Sequence, residues 1–300
     1  MQLKLFKTMW GFPGGYAEAV RIAKKQGYDG LEGPVPASRR ELGALANLLE
    51  QNSLHFIAEI ATTGTYVPDR SLPMQSHIDH LQADLQRCAT LKPLFITCLG
   101  GCDAWPVVES INFFQQAMAL ADSCNLIISF ETHRGRSLFN PWITRDIVAV
   151  LPQIKLTCDF SHWDVVCEGL QRTEEEIIQS LLTNAWHVHG RVGYDQGPQV
   201  PDPSTPPYRA YLQQYTRWWQ WIWQEHKRRQ KTFTSVTPEF GPDGYVYRDI
   251  NCGKALVDID VLNRRLADHL RSEFQRELEA PILMAGSVST HSFGAKLSTV

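Results

Sequence analysis

Apolar and polar positions along this chain fall into short blocks of β-rich character separated by longer stretches with a helical period. The short blocks are LKLFKTM (3–9), YDGLEG (28–33), LHFIAEIAT (54–62), LFITCLGG (94–101), LIISFETH (126–133), KLTCDFSH (155–162), AWHVHGR (185–191) and FTSVTPEFG (233–241), all of strand length. Amphipathic stretches such as AEAVRIAKKQG (17–27) and VESINFFQQAMALADSC (108–124) lie between them and predict helices that return the chain to a parallel sheet. Eight such units in roughly 250 residues predict an α/β fold closed as a (β/α)8 TIM barrel. The expected layout is a single domain over 1–280 with a C-terminal extension over 281–300, where small residues show no period. An open, doubly wound sheet would carry a glycine fingerprint after its first strand, and GFPGG lacks that spacing.

Two stretches depart from the repeat. VGYDQGPQVPDPSTPP (192–207) is rich in Pro and Gly and long for a βα turn, which marks a candidate lid or binding loop. In YTRWWQWIWQEHKRR (215–229), Tyr215, Trp218, Trp219, Ile222, Trp223 and His226 form one stripe, as on a helix docked against the barrel wall. Trp221 falls off that stripe and is a candidate subunit contact in a homo-oligomer.

The alternation inside the later strands carries the chemistry. In AWHVHG, Trp186 and Val188 should share one face and His187 and His189 the other. Four consecutive strands repeat that arrangement, with Phe130, Cys158, Val188 and Pro238 on the apolar side. The opposite side holds small or polar residues and finishes in Glu131, Asp159, His189 and Glu239. In a barrel this parity points inward, and the strand ends meet at the C-terminal mouth. Three carboxylates and an imidazole converging there would repel and be costly to desolvate. One divalent cation resolves both problems, and the O/N donor set suits Mn²⁺, Mg²⁺, Co²⁺ or Zn²⁺. His187 sits one pleat deeper, placed to hydrogen-bond a ligand or a neighbouring strand.

Composition narrows the setting. The chain is 43% apolar and 20% charged, enough for a large core, and its formal charge of -3 gives no electrostatic ground for a nucleic-acid or acidic-membrane partner. No apolar run approaches the ~18 residues of a membrane span, and the start lacks an apolar signal segment. Seven scattered cysteines without a CxxC pair fit reduced thiols, so a cytoplasmic protein is expected.

Together, FETHRGR, CDFSHW, HVHGRVG and TPEFG, with GYDGLEG (27–33) in the second strand, resemble the xylose isomerase-like TIM-barrel family of sugar and sugar-phosphate isomerases and epimerases. The resemblance covers most of the chain. It implies that Glu131, Asp159, His189 and Glu239 hold the metal and that Glu131 and Glu239 act as an acid/base pair through a cis-enediolate. It also implies that His162, in the Asp159-x-x-His162 element, contacts a small-molecule sugar. HGRVG replaces the family's more common Lys-Asp ending of the seventh strand, so substrate identity does not transfer with the metal site. Arg134, Arg136 and Arg191, just past strand ends, are placed to grip hydroxyl, carboxylate or phosphate oxygens. Glu59 and Glu32 share the inward parity toward substrate, while Trp10 and Trp105 either wall the sugar or pack at the core edge. The alternatives are a metal-dependent dehydratase or lyase, a non-catalytic carbohydrate-binding barrel, and a zinc phosphodiesterase of the DNA-repair type. The last needs more ligands and a basic groove.

Overall fold

The computed structural model describes residues 1–242 and 244–279, so the expectation about 281–300 lies outside the described residues. Eight parallel strands close a barrel in chain order: β1 (Gln2–Thr8), β2 (Gly30–Pro34), β3 (His55–Ala61), β4 (Phe95–Leu99), β5 (Ile128–Glu131), β6 (Leu156–Cys158), β7 (Ala185–Gly190) and β8 (Phe233–Pro238). Around them run α1 (Tyr16–Gln26), α2 (Arg39–Asn52), α3 (Met74–Leu91), α4 (Val107–Ser123), α5 (Pro141–Val150), α6 (Phe160–Val166), α7 (Arg172–Ser180), α8 (Arg209–Arg228) and α9 (Ile259–Glu279). None of the described helices is long and apolar enough to cross a membrane.

Local chemistry sets several of these boundaries. Ser38 and Asn140 cap α2 and α5 by accepting from Glu41 N and Ile143 N, and Pro141 opens α5 where its missing N–H costs nothing. Asp159 stops β6 after three residues, because its Oδ1 accepts from Ser161 N at 2.9 Å and starts α6. Phe160–His162 are therefore helical, not the extended end of the sixth strand that KLTCDFSH suggests.

The outer core lies between strands and helices, where Phe130, Cys158, Val188 and Val236 meet the helix layer. The α8 stripe from Tyr215 to His226 is buried there in full, while Trp221 is half-buried beneath the Arg217 guanidinium. Inside the barrel, Phe6, Ile57 and Phe95 form a small apolar floor. Above it stands a hydroxyl ladder in which Thr157 Oγ1 meets Ser129 Oγ at 2.9 Å and Thr97 Oγ1 at 3.3 Å.

One strand breaks the expected alternation. Leu156 pairs with Ala185 and Thr157 with His187, so β7 carries an extra residue at Trp186. Ala185 thus joins the outer core, and Trp186 turns to the floor beside Phe95 (ring centroids 6.4 Å) beneath Lys155 and Lys231. The predicted shared face of Trp186 and Val188 is corrected by this bulge; the shared face of His187 and His189 is kept.

Candidate metal centre at the barrel mouth

Glu131 ends β5, Asp159 follows β6, His189 lies next to the end of β7, and Glu239 follows β8. One donor atom from each lies within 4.8 Å of the others, and no side chain of the four is more than 7% exposed. His189 Nδ1 faces Glu239 Oε2 at 3.0 Å and Glu131 Oε1 at 3.5 Å, yet it is buried without the alignment of a hydrogen bond. Its Nε2 meets Glu32 Oε1 at 3.0 Å. A carboxylate on the outer imidazole nitrogen fixes the ring and leaves the inner nitrogen for a cation.

The electrostatics agree with that donor set. Burial opposes charge on His189, but Glu239, Glu32 and Glu131 hold its pKa well above the ordinary imidazole value. Burial, offset in part by His189, raises Glu239 to about 7. Burial and the charges of Glu239, Glu32 and Glu131 push half-buried Glu59 to about 8. So much negative charge around one imidazole fits a divalent cation held by Glu131, Asp159, His189 and Glu239.

Glu32 and His187 lie below. Burial would raise the Glu32 carboxyl, but His189 and His187 hold it well below the usual range. His187 Nδ1 meets Ser235 Oγ at 2.8 Å, and its Nε2 meets Glu32 Oε2 and Thr237 Oγ1, each at 3.1 Å. Glu32 is thus engaged by both histidines of β7 within the barrel, which differs from the expected contact with substrate.

Asp159 is held on three sides. Its Oδ1 accepts from Ser161 Oγ, its Oδ2 accepts from Arg191 Nη2, and Thr132 Oγ1 both accepts from its N–H and donates to its carbonyl. Arg191 also donates through Nε to Ser161 Oγ and through Nη2 to His162 Nε2 at 2.6 Å. Its guanidinium lies 5.4 Å from the Trp10 ring and 5.0 Å from Tyr245. Trp10, Tyr66 and Tyr245 pack on one another with centroids 5.2–6.3 Å apart, walling the mouth from the loops after β1, β3 and β8.

Two expected site residues face elsewhere. Arg136 is buried and donates to the carbonyls of Thr63, Thr65, Tyr66 and Gly101, because its stem turns under the loop after β3. Trp105 packs on His77 and Phe113 (centroids 4.6 and 5.7 Å) among α3 and α4. Arg134 is half-buried with its guanidinium 5.4 Å from the Tyr245 ring. The loop 192–207 is tied down by Gln199, which accepts from Gly241 N and donates to the carbonyls of Gly241 and Tyr245.

Sequence reasoning missed His133, whose ring lies 3.8 Å from His162, centroid to centroid. It also missed Tyr66 and Tyr245. All three stand beyond strand ends, where no period applies; the only signal for His133 was its place two residues after Glu131 in FETH. Glu131, His133 and His162 also bring donor atoms within 4.8 Å, but Arg191 already claims His162 Nε2.

Fold and donor set together define a (β/α)8 barrel with a candidate metal centre at its C-terminal mouth. No protein-family model and no curated protein sequence matches the chain. Among solved structures, the fold is similar to D-psicose 3-epimerase with D-tagatose from Clostridium cellulolyticum H10, at TM-score 0.60 and 16% identity over 90% of this chain and 98% of that one. It is also similar to the IolI protein with a bound zinc atom (TM-score 0.61, 12% identity, 93% and 98% covered). A third similar structure is the probable 3-DHS dehydratase AsbF from Bacillus anthracis (TM-score 0.58, 14% identity, 88% and 97% covered). At these identities the likeness is one of fold.

Proposed function

We propose that this barrel is a divalent-metal-dependent isomerase or epimerase of a small sugar or sugar derivative. The observation that carries the reading is the convergence of Glu131, Asp159, His189 and Glu239 within 4.8 Å at the mouth. Similar folds in D-psicose 3-epimerase and in 3-keto-D-glucoside 4-epimerase YcjR support the substrate class. A divalent cation held by Glu131, Asp159, His189 and Glu239 would supply a Lewis acid for a substrate carbonyl, which makes the adjoining C–H more acidic. Glu131 and Glu239, brought to the donor cluster by β5 and β8, take that proton and return it to the other face or the neighbouring carbon. Asp159, locked by Thr132, Ser161 and Arg191, supplies a fixed charge, and the aromatic wall excludes water.

The test is turnover of a panel of ketoses in D2O by protein of measured metal content. About one cation per chain and deuterium on the carbon that changes are expected, with turnover lost in Glu131→Gln and Glu239→Gln at matched occupancy. Turnover that persists in both variants removes the acid/base assignment. The same first proton transfer leads to dehydration when a hydroxyl lies β to the carbonyl, and one similar structure is a probable dehydratase. A product lighter by one water distinguishes that outcome.

A further inference from the structure

Four side chains at one side of the mouth carry a polar group without a hydrogen-bond partner among the described residues. Arginine only donates, so His162 Nε2, 2.6 Å from Arg191 Nη2, must be the unprotonated nitrogen. The ring proton then sits on Nδ1, which is buried and has no hydrogen-bond partner. Arg191 Nη1 and His133 Nδ1 are likewise buried and unpartnered. Arg134, next to His133 in sequence, faces the same Tyr245 ring as Arg191 and has no carboxylate in ion-pair reach among the described residues. Buried polar atoms without partners are rare in folded proteins, and two buried N–H donors with His133 Nδ1 beside them, next to a half-buried guanidinium, mark a place for substrate oxygens.

Charge selects among such oxygens. Arg191 is paired with Asp159, and Arg136 is directed at four backbone carbonyls. Among the described residues Arg134 is left as the cation of this side without an anion, beside the unpartnered N–H groups of His162 and of the Asp159-paired Arg191. That complement suits one negative charge spread over two oxygens with four lone pairs. A phosphate, at about -1.5 to -2 with three oxygens, would exceed it. Resting on the reading of this mouth as a sugar site, we infer that the substrate is a sugar acid whose carboxylate is seated by His133, Arg134, His162 and Arg191. The site then has two halves: a carboxylate-rich half for the cation and the reacting carbons, and a donor-rich half that fixes the acid end.

Fructose, fructuronate and fructose 6-phosphate form a matched probe set differing at C6. Calorimetric titration of each into wild type and Arg134→Gln, with and without metal, should show fructuronate binding about tenfold or more tighter than fructose to wild type. That ratio should fall toward one in Arg134→Gln. Equal affinity for fructose and fructuronate, tighter binding of the phosphate, an unchanged ratio in Arg134→Gln, or binding of none of the three would overturn the inference. So would a second equivalent of metal that is lost in His133→Gln, since a cation would then occupy these nitrogens. Failure of the metal-dependent reading appears separately, as absent metal uptake, because the acid preference is also read in metal-free protein.

Discussion

Glu32 shows how much of a centre of this kind rests on one buried side chain outside the donor set. It holds His189 through Oε1 and is itself held by His187 through Oε2, across 155 sequence positions. Glu32→Gln keeps the shape and removes the charge that orients the imidazole. Metal affinity, read by competition with a chromophoric chelator, should fall by about 10–100-fold, with a similar loss in His187→Ala and complete loss in His189→Ala. An unchanged affinity in Glu32→Gln would refute the orienting role. The convergence of Glu131, Asp159, His189 and Glu239 was legible in the sequence because strand parity and strand ends suffice to bring them to one mouth. The partner of His189 was not, since no periodicity reports that β2 faces β7 across the lumen. For the same reason Arg136, a plausible grip on substrate from its position after β5, is directed instead to carbonyls of the loop after β3.

At the scale of elements, α8 was readable because its helical period survives docking: the six stripe residues are all buried. The stripe ends in His226, whose Nδ1 accepts from Thr234 Oγ1 and whose Nε2 donates to the Ala185 carbonyl, each at 2.9 Å. Burial first, then Lys231 and Arg229, lower this ring from 6.5 to about 4. The unfolded chain therefore takes up the proton near 6.5 while the folded chain resists until about 4. His226 contributes fully above the upper value, and stability declines on acidification between the two, by roughly 1.4 kcal/mol per pH unit. Urea unfolding at pH 7 and pH 5 should show a loss smaller by about 1–2 kcal/mol in His226→Gln than in wild type. Equal losses would remove His226 from the account. β7 was less legible. Its extra residue at Trp186 breaks a period of two that the sequence pattern cannot show to be broken, because Ala185 fits either face.

At the scale of the whole molecule, the mouth concentrates negative charge that folding alone leaves poorly compensated. Metal added at about 100 times its dissociation constant should stabilise the fold by roughly 2.7 kcal/mol, a few degrees in melting temperature. A proton on His189 competes with the cation, so affinity should weaken on acidification, and at one fixed metal concentration the gain should be larger at pH 8 than at pH 6. Scanning calorimetry with metal and with chelator reads both; no gain, or a larger gain at the lower pH, contradicts the centre. The loops around it are stitched to one another. Arg136 joins the loops after β3 and β4 to its own after β5, Arg70 meets Asp103, and Ser137 N–H meets the Gly100 carbonyl. Gln199 and Tyr194 fasten the loop after β7 to that after β8. Loops on such barrels are commonly pictured as separate cassettes, exchanged one at a time as a lineage acquires new substrates. Here the heritable cassette is larger: residues 62–73, 100–106 and 132–140 form one unit, because replacing any one strands a buried guanidinium or its carbonyls in the others.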